Sequence, residues 1–221
     1  HLVFKAIETG RLDSLDAPVA KWVPELEGLN AELGYKDRDI TFRHLLSQTS
    51  GYGLEEGPGE AFAYNDHATG LLAWALFYRV YGLPPARYDE LLNGDLLGRA
   101  IGFEDRPTAY HVNSPRGRIR MSARDMARFA LLYLRGGRWN GKRILEKKLF
   151  RHSLSGPLPP DFPRTAGRAA EEIPQVRSLG GGKNEKDHLS CLGHYWWLNR
   201  ITPDGTRLLP DAPPDTYLGS G

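Results

Sequence analysis

The sequence predicts an α+β protein in which helices dominate and strands are confined to about the last thirty residues. Apolar residues recur at helical spacing over 67–81 and over 122–134, and glycine follows each run. Residues 195–201 are strand-like, and the turn sequence at 202–205 leads to a candidate return strand at 206–209. These patterns indicate helices packed beside a small antiparallel sheet.

Local signals place the remaining elements in order. Residues 2–9 have buried helical spacing, and Gly10 is the stop. Thr41 is a suitable N-cap for a short amphipathic helix, and 88–97 predicts another helix. Ser122 is expected to cap the helix that follows it.

Two further segments complete this description. Residues 154–186 are rich in proline and glycine and lose all periodicity, which predicts a long irregular excursion. Trp196 and Trp197 are expected to pack against both faces of a strand, and 216–220 is a further candidate strand.

Composition excludes several classes of function. The 221 residues suit one medium domain, and a net charge of +2 gives no electrostatic case for a nucleic-acid partner. No apolar run approaches the roughly 18 residues of a membrane span. Cys191 is the single cysteine, so neither an internal disulfide nor a cysteine-rich zinc site can form. No phosphate loop or metalloprotease helix is present in the sequence, and no metal or organic cofactor is implied.

One segment has a specific pattern. Residues 40–51 read Ile-Thr-Phe-Arg-His-Leu-Leu-Ser-Gln-Thr-Ser-Gly. This strongly resembles the signature of the serine β-lactamase-related family, which includes class C β-lactamases, D-Ala-D-Ala carboxypeptidases, family VIII esterases and 6-aminohexanoate-dimer hydrolases. Other segments resemble that family's patterns in the same order along the chain: 8–19, 22–26, 58–66, 121–129 and 192–197.

The resemblance implies the β-lactamase/transpeptidase-like fold, with a helical subdomain beside an antiparallel sheet and the active site in the cleft between them. It covers nearly all of 1–221, which is expected to be a single domain lacking its N-terminal and C-terminal ends, with an incomplete sheet. The family mechanism uses a serine in Ser-x-x-Lys to attack a carbonyl and form an acyl-enzyme. The lysine and the tyrosine of a Tyr-x-Asn motif share the proton transfers. Its substrates are small molecules or peptides.

The nucleophile of that mechanism is missing from the sequence. None of the serines is followed by lysine three residues later. The family's Ser-x-x-Lys is therefore expected upstream of His1, and its closing Lys-Thr-Gly or Gly-x-x-Gly-Gln strand at or just past Gly221.

Four residues remain as candidates for the site. Tyr64 matches the family tyrosine, and Asp66 occupies the family's asparagine position. Asparagine can both donate and accept, whereas aspartate only accepts but pairs better with an ammonium, which predicts an altered substrate preference. Alternatively, Asp66 caps the next helix and Tyr64 packs under it. Ser220 and Gly221 are expected to begin the strand that shapes the substrate slot, or to be a simple strand end.

Two functions follow from these residues. The first is a serine hydrolase that cleaves an ester, amide or β-lactam carbonyl, provided that a Ser-x-x-Lys segment exists in the full protein. The alternative is a non-catalytic penicillin-binding-like module that binds peptide or cell-wall fragments. The sequence does not choose among ester, amide, peptide and β-lactam substrates.

Overall fold

The computed structural model describes residues 1–110, 118–176 and 191–219. Its helices, in chain order, are α1 (Leu2–Glu8), α2 (Phe42–Leu46), α3 (Asp66–Ala73), α4 (Tyr88–Asn93), α5 (Gly98–Ile101), α6 (Ala123–Leu134) and α7 (Lys147–Ser153). Short 3₁₀ helices are Val19–Lys21, Pro24–Gly28, Ala31–Leu33, Lys36–Asp39, Pro85–Arg87 and Pro174–Val176. In these ranges, no helix combines the length and apolar character that crossing a bilayer requires.

The strands are β1 (Thr108–Tyr110), β2 (Arg118–Arg120), β3 (Arg138–Trp139), β4 (Lys142–Arg143), β5 (Leu192–Gly193), β6 (Trp196–Leu198) and β7 (Tyr217–Leu218). They pair antiparallel as the hairpins β1–β2 and β3–β4 and as the sheet β5-β6-β7. In that sheet β6 is central, with Trp197 opposite Leu192 on one side and opposite Leu218 on the other.

The core forms around α1 and the long helix that begins at Asp66. One face of α1 is buried, and the Tyr81 hydroxyl donates to the Leu2 carbonyl oxygen at 2.8 Å. The long helix is α3, which continues without a break into a π-helical segment, Trp74–Val80. The predicted helix over 67–81 is therefore confirmed, although its second half is wound as a π-helix.

Two expectations about strands were wrong. β1 to β4 lie well before the last thirty residues, because these strands are two or three residues long and too polar to show an apolar alternation. The expected return strand at 206–209 is reduced to an isolated bridge between Ile201 and Arg207.

The predicted helix starts are confirmed at two positions. Thr41 accepts from the His44 N–H, and the His44 ring accepts from the Thr41 N–H in return, each at 3.2 Å. Ser122 caps α6 by accepting from Asp125 N–H at 3.1 Å. The Asp125 carboxylate faces elsewhere, however, and accepts from the N–H groups of Glu104 and Asp105. This second cap is therefore not reciprocal.

The described part of the excursion, 154–176, is irregular as predicted and lies along 53–62. Phe62 exchanges backbone hydrogen bonds with it, donating to Pro163 at 2.8 Å and accepting from Thr165 at 3.0 Å. The Glu56 carboxylate accepts from the Thr165 hydroxyl and the Ala166 N–H. The excursion thus braces the loop that leads into α3.

Candidate active site

Tyr64 lies in the last extended residues before α3, with its side chain half-buried. Its ring packs on the indole of Trp197 in β6, with ring centroids 5.5 Å apart and planes inclined by 38°. Trp196 points to the other face of the sheet and packs among Phe129, Tyr133 and Tyr217. The expectation that the two indoles cover opposite faces is confirmed, and one of them positions the candidate tyrosine.

The backbone on both sides of Tyr64 is held by Gln48. This residue follows the C-terminal end of α2, is buried, and has a left-handed φ of +58°. Its carbonyl oxygen accepts from Ala63 N–H and its side-chain oxygen from Asn65 N–H, both at 2.9 Å. These two acceptors on one residue fix the path of the chain through Tyr64.

Three residues after Gln48, the chain turns at a glycine. Gly51 has φ of +64°, and a Cβ at this position would collide with the carbonyl oxygen of Glu56. The Gly51 carbonyl oxygen in turn accepts from the buried Lys36 ammonium at 2.9 Å, which also donates to Asp37 at 3.0 Å. Burial raises the pKa of the Asp37 carboxyl, and the Lys36 charge opposes that shift.

Asn65 caps α3. Its side-chain oxygen accepts from Ala68 N–H at 2.9 Å, and its backbone is extended. Asp66 is the first residue of the helix, half-buried, in the turn where a carboxylate is favoured by the helix dipole. The alternative expectation that Asp66 is the cap was therefore wrong by one residue, which leaves its carboxylate outside the capping interaction.

Two residues near this loop were missed by sequence reasoning. His67 Nδ1 lies 2.9 Å from a carboxylate oxygen of Glu172 in the excursion. Tyr195 has a buried hydroxyl within hydrogen-bond distance of both Gln48 and Thr69. Nothing in the sequence brings these partners together, because each pair is more than a hundred residues apart along the chain.

Ser220 and Gly221 lie outside the described residues. The preceding strand is β7, which is shorter than the 216–220 expected and pairs with β6 through Leu198 and Tyr217. β7 therefore lies on the other side of β6 from β5, and its Leu218 is paired with Trp197.

The described residues contain no group of three or more histidine, cysteine, aspartate or glutamate side chains placed to hold a metal ion. The arrangement instead places the phenol of Tyr64 and the carboxylate of Asp66 at the start of α3. Hydrogen bonds to Gln48 hold the loop that carries Tyr64.

Comparison with known proteins identifies the family. The Beta-lactamase family model matches residues 2–200. No curated protein matches the chain. Among solved structures, the chain is similar to the D-alanine carboxypeptidase AmpC from Burkholderia cenocepacia, with 20% identity, a TM-score of 0.53 and coverage of 70% of this chain and 51% of that one.

A second similar structure is a penicillin-binding protein homologue from Caulobacter crescentus, with 18% identity, a TM-score of 0.55 and coverage of 74% of this chain and 60% of that one. The chain thus spans about half the length of the carboxypeptidase and somewhat more of the homologue. At these identities the likeness shows the fold, and the expected β-lactamase/transpeptidase-like α+β architecture is confirmed. With 2–200 matched by the family model, the chain belongs to the β-lactamase family.

Proposed function

We propose that this chain forms part of a serine hydrolase that cleaves an ester, amide or β-lactam carbonyl of a small molecule or peptide through an acyl-enzyme. The observation that carries the proposal is the support given to Tyr64. In a chain of the β-lactamase family, the residue at the family's tyrosine position is fixed through its backbone by Gln48 and through its ring by Trp197. Precise placement of a proton-transfer group is what such a reaction requires.

The proposed reaction has two balanced halves. The serine of a Ser-x-x-Lys segment preceding His1 attacks the carbonyl carbon while its proton passes to the base formed by Tyr64 and the lysine. The bond to the leaving group then breaks, and the leaving group takes that proton. Water attacks the carbonyl carbon of the resulting ester and gives up a proton to the same base. The bond from that carbon to the serine Oγ then breaks, the base returns the proton to Oγ, and the acid departs.

Tyr64 acts as a base in this scheme only when an ammonium lies close, because a neighbouring positive charge lowers the pKa of a phenol. Asp66, at the family's asparagine position, accepts from that ammonium or from a substrate donor and cannot donate an amide hydrogen bond to a substrate carbonyl. This difference supports a substrate preference that departs from that of relatives with asparagine. Ser220 and Gly221 are proposed to begin the edge of the substrate slot.

The test uses the full-length protein. The full-length protein should hydrolyse p-nitrophenyl butyrate or nitrocefin. It should also take a covalent acyl label, detected as a mass increase on the Ser-x-x-Lys serine. Tyr64→Phe should lower the acylation rate by about a hundredfold or more. The matched control is Tyr88→Phe, which removes a buried phenol from α4 and should leave the rate unchanged.

Two outcomes would reject the proposal. Absence of both hydrolysis and label in a folded full-length protein would exclude a serine hydrolase, and reversible binding of peptide or cell-wall fragments would then indicate the non-catalytic module. Full activity of Tyr64→Phe would exclude the role of Tyr64 alone.

A further inference from the structure

Tyr195 occupies an unusual backbone position. The register of β5 and β6 pairs Gly193 with Trp196, which leaves His194 and Tyr195 as a two-residue hairpin loop. Their φ angles are +44° and +69°, the signs of a type I′ turn. Such turns favour asparagine and glycine, since other L-residues are strained at positive φ. The chain therefore has a tyrosine at a backbone position that disfavours one.

The Tyr195 hydroxyl closes a ring of hydrogen bonds. Its neighbours are the side-chain nitrogen of Gln48 and, at 2.9 Å, the hydroxyl of Thr69. The Gln48 side-chain oxygen accepts from Asn65 N–H at 2.9 Å, and the Thr69 hydroxyl donates to the Asn65 carbonyl oxygen at 3.1 Å. The ring of hydrogen bonds therefore starts and ends on the backbone of Asn65.

The direction of every bond in this ring is determined. A carbonyl oxygen only accepts, so Thr69 must donate to Asn65 and must accept from the Tyr195 hydroxyl. Gln48 accepts through its oxygen, so its amide nitrogen donates to Tyr195. Burial raises the pKa of the Tyr195 phenol, which keeps its proton in place as the donor to Thr69. Each member of the ring thus uses one donor and one acceptor without conflict.

The ring of hydrogen bonds encloses Asn65, the residue that follows Tyr64. Gln48 also accepts from Ala63 N–H through its own carbonyl oxygen. Tyr64 is therefore flanked on both sides by backbone bonds that depend on Gln48, and Gln48 is oriented by Tyr195. Two residues further along the same hairpin, Trp197 packs on the Tyr64 ring. One hairpin consequently controls both the backbone and the ring of the candidate proton-transfer residue.

We propose that Tyr195 is a positioning residue, whose hydroxyl holds Gln48 and Thr69 so that the loop 63–65 keeps Tyr64 in one orientation. The structural part of this proposal stands without any activity, whereas its effect on turnover rests on the proposed function. Tyr195→Phe removes the hydroxyl, which breaks the ring of hydrogen bonds, and keeps the aromatic side chain. Thr69→Val breaks the same ring of bonds at another link and serves if the first variant fails to fold.

The first experiment measures backbone hydrogen exchange in the full-length protein by mass spectrometry. In Tyr195→Phe and in Thr69→Val, the peptide covering 61–69 should exchange about tenfold faster or more than in the unchanged protein. The control is Tyr81→Phe, which also deletes a partly buried phenol hydrogen bond, the one to the Leu2 carbonyl oxygen. It should leave exchange in 61–69 unchanged. Equal exchange in all proteins would overturn the proposal, whether or not the protein is a hydrolase.

The second experiment measures ester hydrolysis as a function of pH. Tyr195→Phe should lower kcat about tenfold, leave KM within about twofold, and shift the pH at which kcat reaches half its maximum, because a misplaced Tyr64 no longer sits beside the charge that tunes it. A purely structural loss, represented by Tyr81→Phe, should move neither the profile nor the ratio of kcat to KM. An active enzyme in which Tyr195→Phe leaves kcat and profile unchanged would overturn the positioning role while the proposed function stands. An inactive unchanged protein would reject the proposed function, and the exchange measurement would then decide alone.

Discussion

The ring of Tyr64 lies against the indole of Trp197, 5.5 Å between centroids, and this contact joins the loop before α3 to the central strand of the β5-β6-β7 sheet. The helical part of the molecule and the sheet meet at the residue for which we propose a role in proton transfer. Trp196 packs on the opposite face with Phe129 and Tyr133, so a substitution of Trp196 is a matched control for a substitution of Trp197.

Trp197→Leu should therefore reduce hydrolysis more than it reduces stability. Loss of the indole lets the Tyr64 ring turn, and a displacement of about 1 Å in a catalytic group lowers rates by about a hundredfold. Trp196→Leu removes an equally large ring from the other face and should lower the unfolding temperature without a specific loss of kcat. Rates and unfolding temperatures of both variants are the measurement, and equal loss of kcat in the two would contradict the role of the contact.

The sequence predicted some parts of this arrangement because they depend on neighbouring residues. The cap at Thr41, the cap at Ser122 and the helix after Asp66 are local, so residue type and spacing were sufficient. The cap of α3 was assigned one residue too late because Asn65 and Asp66 are both good capping residues. Sequence spacing alone does not distinguish two such neighbours.

Other parts depend on contacts between distant segments and leave no local trace. The hydrogen bond of His67 to Glu172 and the ring through Tyr195 each require the chain to return after more than a hundred residues. β1 and β2 pair through the backbone, with Thr108 opposite Arg120, and so need no apolar alternation. These features become visible only when the tertiary structure is known.

The capping assignment at α3 leads to a stability prediction. Asn65→Ala should lower the free energy of unfolding by about 1–2 kcal/mol, because the Ala68 N–H loses its acceptor. Asn65→Asp keeps an oxygen at the same place and should lose much less. Asp66→Ala should cost about 0.3–1 kcal/mol, the size of a charge at a helix start. Urea unfolding of the three variants tests the order, and a larger loss for Asp66→Ala than for Asn65→Ala would contradict it.

The turn at Gly51 can be tested against a glycine of the same conformation. Gly51→Ala should lower the free energy of unfolding by about 3 kcal/mol, the sum of a left-handed backbone penalty and a collision with the Glu56 carbonyl oxygen. Gly10 has φ of +69° and open space around it, so Gly10→Ala should cost only about 1 kcal/mol. Chemical denaturation measures both, and equal losses would show that the close approach to Glu56 contributes nothing.

His194 should make the protein sensitive to acid. Its ring is buried between Phe4 and His152, its Nδ1–H donates to the His152 carbonyl oxygen at 2.9 Å, and burial lowers its pKa to about 4. An unfolded histidine has a pKa of about 6.5, so between these values the unfolded chain binds the extra proton. Stability is therefore complete above about pH 6.5 and is lost as the pH falls towards 4, by about 2–3 kcal/mol at pH 4.5. His194→Asn suits the left-handed backbone and removes this titration, while His44 and His152, whose pKa values desolvation also lowers, remain. Urea unfolding at pH 7.5 and 4.5 should show a smaller loss in the variant by that amount, and an identical loss in both proteins would exclude His194 as the acid-sensitive group.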